Sequence, residues 1–233
     1  MFPRRNILAA LCVLALAAVR TLAQTSAPAT RAGSEKWEPD IRKFEASDAK
    51  SMPASGGLLF VGSSTIRFWK TSEAFSEFGN VINRGFGGSE MIDSATFAPR
   101  IILPYKPKVV VVYAGDNDLA AGTTPEQVDD SFHTLLHEVR GALPETKLVI
   151  LSAKVSHARL KIRDKTEALN KLFQADAAAS GGWVTYVDIV PLLLDEQGQP
   201  IRKLFRIDGL HMSDAGYAKV NEKLRPVLAE LMK

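Results

Sequence analysis

Val109-Val110-Val111-Val112-Tyr113 runs directly into Ala114-Gly115-Asp116-Asn117-Asp118. Consecutive valines suit a strand better than a helix, because a β-branched side chain loses freedom against the preceding helical turn. The run does not alternate with polar residues, so both of its faces are apolar. Such a strand belongs in a parallel sheet covered by helices on both sides. Leu148-Val149-Ile150-Leu151 has the same character. Shorter β-branched apolar runs at 58–61, 80–82 and 183–187 bring the expected strands to about five, the longer two spanning 108–113 and 147–151. Helical patterns separate them at roughly 64–78, 89–103, 125–142, 160–179 and 214–232. A further helix is expected from Trp37 to about Lys50, with Trp37, Ile41 and Phe44 at spacings of four and three. Strands alternating with helices predict βαβ units with right-handed crossovers. The expected fold is a three-layer α/β/α sandwich of about five parallel strands, with no internal repeat and no second domain.

Ligands of such sheets sit beyond the carboxyl ends of the strands. Gly62-Ser63-Ser64 follows the first expected strand, Gly85-Phe86-Gly87-Gly88 the second, and Gly115-Asp116-Asn117-Asp118 the third. The chain order therefore brings all three to one edge. Near the C-terminus, Asp208-Gly209-Leu210-His211 precedes the last helix, with Ser213 a good N-cap. A serine at a strand end becomes a nucleophile when a base takes its proton. A histidine with a carboxylate three residues earlier can be that base. Backbone N–H groups at glycine turns and an asparagine amide can hold an oxyanion.

Each motif also has a plainer account. Serine caps helices, glycine makes turns, Asp-Asn-Asp is a run of turn-formers, and His211 can be a loop histidine. Ser63 and Ser64 are not distinguished at this level. The Gly-x-Ser-x-Gly elbow is absent, the glycine turn has no phosphate-loop lysine, and the remaining ligands of a calcium loop are missing around Asp116. His133 and His137 lie four apart on a helix, but no zinc-protease glutamate follows His133 and no third ligand is evident. A solvated face is the better reading, and no metal is expected. His157 follows the fourth strand and can line a pocket. Arg67, Arg84, Lys154 and Arg159 also fall in or near edge loops, where they can recognise an anionic group. Surface solubilisation explains each of them equally well.

The N-terminus reads differently. Arg4 and Arg5 precede an apolar stretch from Ile7 to Val19, and Thr21-Leu22-Ala23 offers small residues for cleavage. Residues 1–23 are expected to be a secretory signal peptide, too short for a membrane span of roughly 20 apolar residues. Residues 24–36, rich in Ser, Ala, Thr and Pro, are expected to be a flexible linker, and 37–233 the folded domain. Cys12 is the single cysteine and sits inside the apolar stretch, so the exported chain has no disulfide and no thiolate nucleophile. The full chain carries 29 Lys+Arg against 26 Asp+Glu; removing Arg4, Arg5 and Arg20 leaves 26 against 26. That balance gives no reason to expect a nucleic-acid partner.

Taken together, the four segments resemble the SGNH hydrolase family of GDSL-type lipases and esterases, built on Ser, Gly, Asn and His blocks in this order. The resemblance runs from about residue 58 to 220. It implies a flavodoxin-like sandwich and a secreted serine esterase or acylhydrolase that needs no cofactor or metal. It also implies Ser64 as nucleophile, His211 as base oriented by Asp208, and an oxyanion hole of Ser64 N–H, Gly88 N–H and the Asn117 amide. Ser63 departs from the family, which carries Asp before the nucleophile. Phe60-Val61-Gly62-Ser63-Ser64-Thr65-Ile66-Arg67-Phe68-Trp69, with Asn83 to Ser89 and Tyr113 to Asp118, is similar to a bacterial subgroup that carries Gly-Ser-Ser. The expected substrates are small-molecule, glycan or lipid esters, with short-acyl, carbohydrate or lysophospholipid esters foremost. An acyltransferase and a non-catalytic glycan-binding module on the same scaffold are the alternatives.

Overall fold

The computed structural model of the protein describes residues 33–233. The signal peptide expected at 1–23 and most of the linker expected at 24–36 lie outside the described residues. Each apolar run forms a strand: β1 Leu58–Gly62, β2 Val81–Gly85, β3 Val109–Tyr113, β4 Lys147–Leu151 and β5 Val184–Val187. All pair in parallel, in the order β2-β1-β3-β4-β5. The direction of winding reverses at β1, which opens a crevice at the carboxyl ends of β1 and β3. Gly62 stands in register with Gly85 on one side and Tyr113 on the other. The three turns that follow therefore start from one level.

Helices cover both faces, as the unalternating strands require. On one side lie α1 Glu38–Asp48, α4 Met91–Ile101, α6 Pro125–Ala142 and α7 Arg163–Ala179. They bury Leu59, Val61, Val110, Val112, Leu148 and Ile150. On the other lie α2 Ser64–Arg67, α3 Thr71–Ala74, α8 Val190–Leu193 and α9 Asp214–Leu231. They bury Leu58, Phe60, Val109, Val111, Tyr113, Val149 and Leu151.

Three expectations need correction. The stretch 64–78 is not one helix but α2, α3 and a 3-10 turn at Ser76–Phe78. The Asn83 amide on β2 donates to the carbonyls of Ile66 (2.8 Å) and Trp69 (3.0 Å), so it takes an acceptor that a continuing helix would use. Asp116 to Asp118 are not a plain turn but the start of α5, Asp116–Ala120. Carboxylates are favourable at a helix N-terminus, which lets the same turn-formers open a helix. The linker also ends earlier than its composition suggests. Ser34 is buried and its hydroxyl donates to Asp93 at 2.5 Å, beside the Trp37 indole at 2.8 Å from the same carboxylate. Among the described residues, no helix is long and apolar enough to cross a membrane.

One buried carboxyl makes the fold sensitive to pH. Asp118 Oδ1 accepts the backbone N–H of Met91 at 2.9 Å, while Oδ2 is buried without a partner among the described residues. Burial, reinforced by the nearby Glu90 and Asp116 charges, pushes its carboxyl up to about 7. The folded chain thus keeps a proton that the unfolded chain sheds near pH 4, so this contribution to stability is lost as pH rises towards 7. Asp118→Asn keeps the acceptor for Met91 and removes the titration. Its stability relative to the parent is expected to increase between pH 5 and pH 8, read from denaturant midpoints at each pH. A constant difference across that range contradicts the assignment.

Candidate active site

β1 ends at Gly62, whose φ of +136° lies outside the range of ordinary side chains. A Cβ there would sit 1.9 Å from the Tyr113 carbonyl oxygen, so only glycine lets β1 leave the sheet along this path. Ser63 follows in extended conformation and its N–H donates to that same carbonyl at 3.0 Å. Its own carbonyl accepts the N–H groups of Ile66 and Arg67, which starts α2. The Ser63 hydroxyl is buried, caps nothing and meets no partner among the described residues. Ser64 points elsewhere: its Oγ lies 3.0 Å from His211 Nε2. The two serines that sequence leaves equivalent are separated here by direction.

His211 is held from behind. Its Nδ1 lies 2.7 Å from Asp208 Oδ2, while Asp208 Oδ1 accepts the backbone N–H groups of Leu210 (2.9 Å) and His211 (3.0 Å). The His211 hydrogen bond, helped by those N–H groups, keeps the Asp208 carboxyl well below the usual carboxylate range. An ionised carboxylate at Nδ1 fixes the tautomer with its proton there, leaving the Nε2 lone pair to face Ser64. Phe68 meets the imidazole edge-on, with ring centroids 5.0 Å apart. The loop carrying Asp208 and His211 is closed by the bridge between Phe205 and Met212. His157 meets Phe205 edge-on at 5.6 Å, and its Cβ would lie 3.0 Å from a Cβ at Gly209. It is a buttress to this loop.

Three oxyanion donors were expected: the N–H groups of Ser64 and Gly88 and the Asn117 amide. Among the described residues, no acceptor engages the N–H of Ser64 or of Gly88. Gly88 has a φ of +85°, a conformation that glycine adopts readily and other residues rarely do. The Asn117 amide nitrogen donates one hydrogen to the Ser89 carbonyl at 2.9 Å, which ties the second turn to the third; among the described residues its other hydrogen has no acceptor.

The cationic side chains divide. Lys154 and Arg84 were expected to face substrate and do not. Lys154 is 2% exposed; its Nζ donates to Asp116 Oδ2 (2.8 Å), Tyr113 Oη (3.0 Å) and Thr65 Oγ1 (3.1 Å). Burial opposes its charge, but Asp116 and Tyr113 outweigh that and hold the ammonium above the usual lysine range. Arg84 is buried against Asp48 (2.5 Å) and Tyr105 Oη (2.8 Å), under the opposite sheet face. Arg159 donates to Asn117 Oδ1 at 2.7 Å. Arg67 alone is exposed, with its guanidinium lying over Gly87. His133 pairs not with His137 but with Asp176 (2.9 Å) and Asp129 (3.8 Å) in a cluster on α6 and α7 whose carboxylates are half-buried beneath the exposed imidazole. Its three donor atoms lie within 4.8 Å of one another.

Sequence reasoning missed Phe68, Asn83, Ser89 and Asp116 as parts of the site. All four stood inside quoted motifs, but their roles depend on contacts between segments that no spacing along the chain encodes. Phe68 also lines a cavity of about 310 Å³ together with Lys70, Glu73, Asp214, Tyr217 and Asn221.

Residues 70–219 match the GDSL-like Lipase/Acylhydrolase family, a span that begins just after the Ser64 turn and includes Gly88, Asn117, Asp208 and His211. Over 205 residues the chain is 23% identical to the platelet-activating factor acetylhydrolase IB subunit alpha2 of Rattus norvegicus, with 86% of each chain covered. Among solved structures, it superposes with a TM-score of 0.71 on a Streptococcus pneumonia protein described as a platelet activating factor. That pair is 21% identical, covering 83% of this chain and 93% of the other. An acetyl-xylooligosaccharide esterase from Geobacillus superposes with a TM-score of 0.62 at 15% identity, covering 75% of this chain and 95% of the other. The solved structures share this α/β fold with its five-stranded parallel sheet.

Proposed function

The chain belongs to the GDSL-like lipase/acylhydrolase family and is an SGNH-type esterase or acylhydrolase, and from that premise we propose that Ser64 is its nucleophile, His211 its general base and Asp208 the orienting carboxylate. One observation carries the assignment: the unbroken line from Asp208 Oδ2 to His211 Nδ1 (2.7 Å) and from His211 Nε2 to Ser64 Oγ (3.0 Å). Ser64 Oγ attacks the ester carbonyl carbon as its proton passes to His211 Nε2. The carbonyl oxygen becomes an oxyanion, taken up by the N–H groups of Ser64 and Gly88 and the free amide hydrogen of Asn117. The imidazolium, stabilised by Asp208, gives its proton to the departing alkoxide. Water, deprotonated by the same imidazole, then attacks the acyl carbon; the bond to Ser64 Oγ breaks, the imidazolium returns its proton to that oxygen, and the acid leaves.

We assign the chain to the bacterial Gly-Ser-Ser subgroup on the turn Gly62-Ser63-Ser64 and its neighbouring blocks. We further propose short acyl groups on a polar alcohol, such as a carbohydrate or a lysophospholipid-like head. The cavity behind Phe68 supports this reading: Lys70, Glu73, Asp214 and Asn221 give it a polar lining suited to a hydroxylated or zwitterionic group. The rat relative is an acetylhydrolase and the Geobacillus protein an acetyl-xylooligosaccharide esterase, both named for acetyl esters. Export is proposed from the basic start and short apolar centre of residues 1–23.

Ser64→Ala is expected to abolish hydrolysis of p-nitrophenyl acetate and labelling by a fluorophosphonate; retention of either refutes the nucleophile. Asn117→Ala is expected to lower kcat by roughly 100- to 1,000-fold with intact folding. Across p-nitrophenyl esters from acetate to palmitate, kcat/KM is expected to fall with chain length, and a rise towards palmitate contradicts the short-acyl reading. N-terminal sequencing of the protein recovered outside the cytoplasm is expected to begin at or near Gln24; an intact Met1 there refutes cleavage.

A further inference from the structure

We propose that Arg159 is the positioning residue for the oxyanion hole, fixing which way the Asn117 amide faces. The inference rests on the assignment of Asn117 as an oxyanion donor, and it replaces the substrate-contact role that the sequence suggested for Arg159.

An asparagine amide has two ends of nearly equal shape and opposite chemistry. Only its NH₂ end can serve an oxyanion; rotated by half a turn, it would present a carbonyl oxygen and repel the developing charge. At Asn117 both ends are specified by partners that have no choice. Arg159 Nη2 lies 2.7 Å from Oδ1, and a guanidinium can only donate. The Ser89 carbonyl lies 2.9 Å from Nδ2, and a carbonyl can only accept. Reversing the amide would break both contacts and set donor against donor and acceptor against acceptor. The Ser89 contact uses one amide hydrogen, so the second is left for substrate.

Arg159 is itself fixed. Its Nη1 lies 3.1 Å from Asp116 Oδ2, with the side chain 18% exposed. The same carboxylate takes Lys154 Nζ at 2.8 Å. One carboxylate between two cations leaves this small cluster with a net positive charge, directly behind Asn117. Arg159 reaches Asn117 from Asp116, the residue immediately before it, so the guanidinium bridges the backbone start of α5 and the side chain that α5 presents. A donor held in a low-dielectric setting also polarises the amide, making its N–H groups stronger donors. With Nη2 hydrogen-bonded to Asn117 Oδ1 and Nη1 in an ion pair with Asp116 that lacks hydrogen-bond geometry, the Arg159 guanidinium faces protein groups, whereas Arg67 is exposed.

The test is a double-mutant cycle on p-nitrophenyl acetate with Arg159→Met, Asn117→Ala and the pair. If Arg159 acts through Asn117, Arg159→Met lowers kcat by roughly 10- to 100-fold, less than loss of the donor itself, and leaves KM unchanged. In the Asn117→Ala background the same substitution then has no further effect. Arg159→Gln, which returns a neutral N–H donor, is expected to recover part of kcat, and it stands in for the methionine variant should that fail to fold. The proposal is overturned if the two effects multiply, if KM rises with kcat unchanged, or if Arg159→Met turns over like the parent. A Ser64→Ala protein that stays active defeats the reading of the site itself; an inactive Ser64→Ala beside a fully active Arg159→Met defeats only this inference.

Discussion

The site depends on a buried ion pair. Asp116 and Lys154 lie 2.8 Å apart with side chains 5% and 1% exposed, and neither charge is tolerable there alone. Burial alone disfavours the charged form of each, and each is kept charged by the other, with Asp116 held below its ordinary range by Lys154 and Arg159. Removing one member of such a pair typically costs about 3–5 kcal/mol, because the partner is left uncompensated. The pair also has a spatial consequence. Through Tyr113, Thr65 and Asp116, the Lys154 ammonium joins the end of β3, the residue after the proposed nucleophile, and the first turn of α5. Loops are ordinarily the least ordered parts of a fold; here a desolvated charge fastens together the element ends that flank them.

The sheet supplies the other half of the precision. Because Gly62, Gly85 and Tyr113 stand in register, Ser64, Gly88 and Asn117 leave the sheet within a few residues of one line. The dyad has no such frame. Asp208 and His211 come from a loop before α9 and reach the edge from the side. Their placement relies on the turn hydrogen bonds to Asp208 Oδ1, on the packing of His157 against Gly209, and on the edge of Phe68. The nucleophile side is thus set by strand register and the base side by local loop chemistry, with a single 3.0 Å contact joining them.

The strands were legible because unbroken Val, Ile and Leu runs can satisfy neither a surface strand nor a solvent-facing helix. α6 was expected at roughly 125–142 and forms there; the structure adds the capping box of Thr124 and Gln127 that starts it. The convergence of three turns followed from strand order alone. What stayed hidden was everything decided by contacts across the sheet edge. The break after α2 depends on Asn83, a residue of another strand. The fate of the cations depended on burial: Lys154, Arg84 and Arg159 have the same local look as Arg67, and only packing separates a buried structural charge from a free one. The choice between Ser63 and Ser64 required side-chain direction, which period-based reading supplies within a regular element but not at the turn between two.

Ser63 is the chain's one departure from the family pattern, and its surroundings make physical sense of it. The hydroxyl is buried and finds no donor or acceptor among the described residues. A neutral hydroxyl left unpaired costs far less than an ionised carboxylate would in the same place, since desolvating an isolated charge is the more expensive by a wide margin. Lys154 and Arg159 are already paired with Asp116. The reaction does not ask for an acid at position 63, because the carboxylate that orients the imidazole is Asp208, three residues before His211 and 2.7 Å from its ring.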